Sequence, residues 1–183
     1  VIFTGDVIRK SAIYKYENLY NQFNNKFEIF ITPGNHEIEN FDMKTFDNFL
    51  LTKQPQMPFK LKRQGFIMIL DDSNKKPQIN KLIALVDNEN LNDNLLILRH
   101  HYNLARNKKL EKYTNIIELI NKVSLEESFR EKGLVNIIYG DTTPRRLMCY
   151  KHKNINHIWS NISDIKKDKN YFLVLNKNKK FFY

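Results

Sequence analysis

Phe27-Glu28-Ile29-Phe30-Ile31-Thr32-Pro33-Gly34-Asn35-His36-Glu37 is the stretch that decides the reading of this chain. A short apolar run with β-branched and aromatic residues, stopped by Pro-Gly, predicts a buried strand over Phe27–Thr32. The spacing then puts Asn35, His36 and Glu37 on a tight loop just past the strand end. An Asn oxygen is a neutral, hard ligand. A His beside it binds metal or donates to a phosphoryl oxygen. Taken alone, the four residues Gly34 to Glu37 are equally readable as a turn.

Working outward, Val1-Ile2-Phe3-Thr4 reads as a buried strand running into Gly5-Asp6, so the chain is expected to open inside a fold. Ile13, Tyr16, Leu19, Tyr20 and Phe23 recur at helical spacing over 12–24. The two strands and this helix form one strand–helix–strand unit. Further on, a short helix is expected over Phe41–Leu51, strands over Phe59–Lys62 and Phe66–Leu70, and a helix over Ile79–Val86. Leu95–Leu98 is a buried strand that runs into Arg99-His100-His101. Leu110, Tyr113, Ile116, Ile117, Ile120 and Val123 mark an amphipathic helix. Val135–Tyr139 is a strand ending in Gly140-Asp141. Short strands are expected over Leu147–Tyr150, His157–Ser160, Tyr171–Leu175 and Lys180–Tyr183. With no internal repeat and no low-complexity linker, residues 1–183 read as a single domain.

Four strands thus end in polar groups: Asp6, Asn35-His36, His100 and Asp141. Ligands of α/β sheets bind at the carboxyl ends of strands. Asp, Asn and His together make a mixed oxygen and nitrogen donor set, which suits Mn, Fe or Zn better than Ca or Mg.

The order Gly5-Asp6, Gly34-Asn35-His36-Glu37, an apolar strand with His100, and finally a Gly at 140 resembles the calcineurin-like metallophosphoesterase family along nearly the whole chain. The resemblance implies a four-layer α/β/β/α sandwich, here lacking its first strand, and hydrolysis of a phosphate ester, a monoester or a diester. It implies that Asp6 bridges two metal ions, that Asn35 and His100 bind the second of them, and that His36 contacts the phosphoryl group. Two metals about 3.5–4 Å apart would activate the attacking water.

The sequence departs from the family pattern twice. An Asp-x-His motif on a preceding strand is absent, and Gly140-Asp141-Thr142-Thr143 stands where the family usually has Gly-His-x-His. Asp141 is either a metal ligand or a turn residue before Pro144. From these departures the chain as given is expected to hold at most one tight divalent ion and to be a poor hydrolase. A degenerate binding module is the alternative reading.

Other candidates carry less. Arg9 follows Asp6 and faces either a phosphate or solvent. Arg99, Arg145 and Arg146 stand near site loops and read equally as solvated charges. His101 reads as a loop or packing histidine. His152, His157, Trp159 and Cys149 read as structural.

Composition sets limits. The chain is 42% hydrophobic and 13% aromatic, which is globular rather than disordered. Thirty basic against twenty acidic residues give a net charge of +10, but the lysines are scattered, so nucleic-acid binding, and with it a nuclease, rests on charge alone. The single cysteine, Cys149, allows no internal disulfide, which suits a reducing compartment. No run of ~18 apolar residues is present to span a membrane.

Overall fold

The computed structural model describes residues 1–8, 12–23, 25–39, 43–63, 65–75, 79–86, 94–101, 135–140, 148–152, 155–159, 174–175 and 181–182. In order these give β1 (Ile2–Phe3), α1 (Ile13–Phe23), β2 (Phe30–Ile31), α2 (Asn35–Glu39), α3 (Met43–Leu51), β3 (Phe59–Arg63), β4 (Phe66–Leu70) and α4 (Ile79–Val86). They continue with β5 (Asn94–Arg99), β6 (Val135–Tyr139), β7 (Met148–His152), β8 (Ile155–Trp159), β9 (Val174–Leu175) and β10 (Phe181–Phe182). The amphipathic helix expected over Leu110–Val123 lies outside the described residues.

Three sheets result. β1 and β2 pair in parallel, Ile2 with Phe30 and Phe3 with Ile31. β9 and β10 form an antiparallel pair. The main sheet has six strands in the order β3-β4-β5-β6-β8-β7. Its central pairs, β4–β5, β5–β6 and β6–β8, are parallel, and antiparallel β3 and β7 close the two sides. A parallel strand covered on both faces must be apolar throughout rather than alternating. β6 is buried at all five residues and is apolar but for Asn136, whose side chain pairs with Asn156.

Register then separates the two faces. Met68, Leu70, Leu96, Leu98 and Ile138 share one face; Ile67, Ile69, Leu95, Ile97, Val135 and Ile137 share the other. On the first face Leu70, Leu98, Ile138 and Ile158 join a core completed by Phe30, Ile31, Phe59 and the helices. Phe30 stacks on Phe59 with ring centroids 5.8 Å apart, so the β1–β2 pair lies against the large sheet. α1 supplies Tyr16 and Tyr20, and α3 supplies Phe46 and Leu50, to the same core. Tyr16 and Phe46 meet edge to face at 5.2 Å. Two β layers with helices packed on them are consistent with the expected α/β sandwich.

Two polar features sit inside this apolar frame. Asn156 Nδ2 donates to Asn136 Oδ1 at 2.8 Å between adjacent strands β8 and β6. Asn136 and Asn156 are register partners, and a slip by one residue would move one amide to the opposite face. Gln54, just past α3, lies along β2: its Nε2 donates to Ile31 O at 2.9 Å and its Oε1 accepts from Ile31 N at 2.8 Å.

Most predicted elements are found within a residue or two of their expected ends. β1 and β2 are shorter than the apolar runs that predict them. Phe27, at the start of the second run, is half exposed and outside the pairing. One expectation is corrected: Asn35, His36 and Glu37 lie not on a tight loop but in the first turn of the short helix α2. Gly34 precedes it as the cap, and Glu37 reaches back three residues to the Gly34 amide, as in a capping box.

Candidate functional site

Parallel pairing brings strand ends together. β1 and β2 run the same way, so Gly5-Asp6 and Pro33-Gly34 emerge side by side. β5 and β6 also run the same way, and deliver His100 and Gly140 to one end of the large sheet. The two sets meet at Thr4. His100 Nδ1 lies 2.7 Å from Thr4 O, and a Cβ built on Gly140 would run into the same carbonyl.

Asp6 is at the centre. It adopts φ +52, a left-handed conformation that Asp tolerates better than most residues. Its Oδ1 accepts the His36 amide at 3.0 Å. Its Oδ2 lies 3.3 Å from His100 Nε2 and 3.9 Å from His36 Nε2. Burial pushes the Asp6 carboxyl up, but the hydrogen bond and charge of His100, joined by the His36 amide and ring, outweigh it and hold the group below the usual carboxylate range.

This packing demands glycine at two neighbours. Gly5 has φ +89, and a Cβ there would lie 2.6 Å from His100 Cγ and 2.7 Å from Gly34 N. A Cβ on Gly34 would press on the Asp6 carboxylate, reaching its Cγ at 2.9 Å. Asn35 therefore stands, half-buried, between a glycine in contact with Asp6 and a histidine whose amide binds Asp6.

Glu37 organises the two loops. Fully buried, its carboxylate accepts the amides of Asp6 (2.8 Å), Val7 (2.9 Å) and Gly34 (2.7 Å) and the Tyr16 hydroxyl (2.5 Å). The main chain on both sides of the Asp6 side chain is thereby tied to helix α2. The sequence signal for this role was the Glu three residues after a helix-capping Gly.

The tautomer of His100 follows from its partner. A carbonyl only accepts, so Nδ1 carries the proton donated to Thr4 O, which leaves Nε2 as the ring nitrogen that faces the Asp6 carboxylate. A ring nitrogen without a proton and a carboxylate oxygen at 3.3 Å repel unless a proton or a cation joins them. A histidine whose far nitrogen donates to a backbone carbonyl is the arrangement that presents imidazole to a metal. Among the described residues no three His, Cys, Asp or Glu side chains are gathered as a complete cage. Asp6 and His100 would supply two such donors, and Asn35 follows in the chain directly after Gly34, which packs on Asp6. Oxygen and nitrogen donors of this kind would suit a borderline divalent ion.

One strand end escaped sequence reasoning. β4 runs into Asp71-Asp72-Ser73-Asn74, a polar run easily taken for a plain turn. Ser73 Oγ accepts the His101 amide at 2.9 Å, and Asn74 Nδ2 donates to Pro33 O at 2.9 Å and Gly34 O at 3.1 Å. Asp71 pairs with Arg99 at 3.3 Å, both buried, so Arg99 is a structural cation and not a solvated one. His101 is buried against His100, ring centroids 4.6 Å apart, in keeping with a packing role. Arg9, Asp141, Arg145 and Arg146 lie outside the described residues. His36, with its side chain about half exposed, is open to a ligand above Asp6.

No curated protein sequence matches the chain. The family model described as calcineurin-like phosphoesterase matches residues 1–175. On that match, over nearly its whole length, the chain belongs to the calcineurin-like phosphoesterases, a family of metal-dependent phosphoester hydrolases.

Proposed function

We propose that this chain hydrolyses a phosphate monoester or diester, slowly and with one tightly held Mn, Fe or Zn ion, at the cluster of Asp6, Asn35, His36 and His100. The observation that carries the reading is His100 Nε2 facing Asp6 Oδ2 from 3.3 Å, with Nδ1 on Thr4 O. Asp6, Asn35 and His100 are the residues that would hold one divalent cation. Asp141 is a candidate for a second ion. Divalent cations in such a site supply Lewis acidity and a water acidic enough to attack phosphorus near neutral pH.

The chain's own residues supply the rest. His36 is anchored by its amide to Asp6 and keeps its ring at the open side, where Nε2 can donate to a phosphoryl oxygen as charge grows there. Asp6, held ionised, keeps its lone pairs available for metal. Glu37 and the two glycines fix the loops before any ligand arrives, so little reorganisation remains to be done on binding.

The test is turnover of p-nitrophenyl phosphate and bis-p-nitrophenyl phosphate by protein reconstituted separately with Mn, Fe and Zn. Metal-dependent turnover that His36→Ala lowers about 100-fold or more supports the reading. Absence of turnover with all three metals overturns it, and metal uptake without turnover would identify a binding module instead.

A further inference from the structure

We propose that Asn74 is a positioning residue for the metal donors, setting the Pro33–Gly34 turn that leads into Asn35 and the His100–His101 segment at a fixed spacing. The inference rests on the reading of Asp6, Asn35 and His100 as donors.

Asn74 spends its whole side chain on the exits of two strands. Its Nδ2 donates to Pro33 O at 2.9 Å and to Gly34 O at 3.1 Å, the two carbonyls just before Asn35. Its Oδ1 lies 3.2 Å from His101 Nε2, next in the chain to His100. The orientation of the amide is dictated by its partners. Turned over, Oδ1 would face two carbonyl oxygens, so Nδ2 must point at the Pro33–Gly34 loop. Oδ1 then accepts, and His101 holds its proton on Nε2. The Asn74 amide donates to Asp72 Oδ1 at 3.0 Å, which shapes the turn that presents the side chain. Ser73 adds a second grip by accepting the His101 amide at 2.9 Å.

Asn74 therefore touches the immediate neighbours of two donors. Asn35 comes from the end of β2 and His100 from the end of β5, which belong to different sheets. A shift between those sheets would change the donor spacing, and a divalent ion tolerates little such change. Partners that orient metal ligands from outside the coordination sphere are worth about 10–100-fold in metal affinity. Asn74 meets that description through main chain on one side and a histidine ring on the other.

The experiment is Mn2+ titration of the full chain by calorimetry for wild type, Asn74→Ala, Asn74→Asp and Thr52→Ala. Asn74→Asp keeps the shape and the acceptor toward His101 but loses both donors to the loop. Thr52→Ala removes a side-chain bond to Phe49 O, 2.7 Å in length, at the end of α3, away from the site. The expected result is a loss of about tenfold or more in both Asn74 variants, with native circular dichroism and unchanged affinity in Thr52→Ala. Affinities within twofold of wild type in both Asn74 variants overturn the proposal.

A second measurement needs neither metal nor a variant that folds. Long-range proton–nitrogen spectra of the wild-type protein should show His101 as the Nε2–H tautomer, and the Nδ1–H form overturns the proposal. Should the wild type take up no Mn2+, Fe2+ or Zn2+, the metal reading falls on its own. The tautomer then still reports whether the Asn74–His101 contact exists.

Discussion

Glu37 Oε2 accepts the Asp6 amide at 2.8 Å across thirty-one residues of chain. The same carboxylate takes Val7, Gly34 and Tyr16, four donors on one buried anion. Glu37→Gln replaces one acceptor oxygen with an NH2 that faces amides, leaving buried donors unmet at about 1–3 kcal/mol each. Urea unfolding should show a loss of at least about 3 kcal/mol, with weaker Mn2+ binding in whatever fraction stays folded. A loss below about 1 kcal/mol would mean the four bonds are not formed together.

Gly34→Ala and Gly65→Ala make an instructive pair. The added methyl at Gly34 presses on the Asp6 carboxylate, with main chain close on the other side. At Gly65, φ +79 in the β3–β4 turn, the methyl meets nothing within 4 Å. Gly65→Ala should cost only the backbone term, about 1 kcal/mol, and leave metal affinity alone. Gly34→Ala should cost about 2–3 kcal/mol and lower Mn2+ affinity as well. Equal affinities for the two variants would contradict the placement of Asp6 against Gly34.

Tyr20 buries its ring in the core, and its hydroxyl has no hydrogen-bond partner among the described residues. Burial pushes the phenol up to about 12. Removing an unmet hydroxyl is neutral or favourable, so Tyr20→Phe should hold or raise stability by up to about 1 kcal/mol at pH 7. The pH dependence has a definite sign. Above the ordinary value of 10.0 an unfolded chain gives up the phenol proton while the native chain keeps it. The Tyr20 contribution is complete below that value and is lost as pH rises toward about 12. Thermal melts at pH 7 and 11 should show a smaller drop for Tyr20→Phe than for wild type.

Asp72 and Lys75 form the other titrating pair, at 3.1 Å, with Asp47 2.6 Å from the same ammonium. Burial pushes the Asp72 carboxyl up, and Lys75 only partly offsets it. Native Asp72 therefore keeps its proton after an unfolded chain has lost it. Stability falls as pH rises from about 3.8 through the raised native value. Lys75 is lowered by burial but raised more by Asp47 and Asp72, so its contribution is complete below about 10.5 and is lost as pH climbs through its raised native value. Asp72→Asn should remove the acid-side decline in a urea series from pH 3.5 to 6. An unchanged slope would mean that another carboxyl is responsible.

The outline of the fold was legible because buried parallel strands announce themselves as apolar runs. Phe66–Leu70 and Val135–Tyr139 were read to the residue for that reason. The site motif was legible in residue type and only partly in shape. Five residues, Asn35–Glu39, give too little periodicity to signal a helix, and the preceding Pro-Gly argued for a loop. Glu37 was quoted as part of the motif without a role, because its partners lie up to thirty-one residues away. Asp71-Asp72-Ser73-Asn74 was missed altogether: its bonds to Pro33, Gly34 and His101 are tertiary, and no local spacing encodes them.

Gln54 has a consequence for how this protein avoids sticking to itself. A two-stranded pair such as β1–β2 leaves one side of β2 with unpaired main-chain groups, an invitation to strand exchange between molecules. The Gln54 amide occupies that side as a strand would, donating to Ile31 O and accepting from Ile31 N. The large sheet guards its β3 side differently, with Lys60, Lys62 and Arg63 in a strand of only five residues. Both guards are side chains that the candidate site does not use: one amide at β2 and three cations at β3. Gln54→Leu would keep the bulk, fill the same space and open the edge to fibril-like pairing.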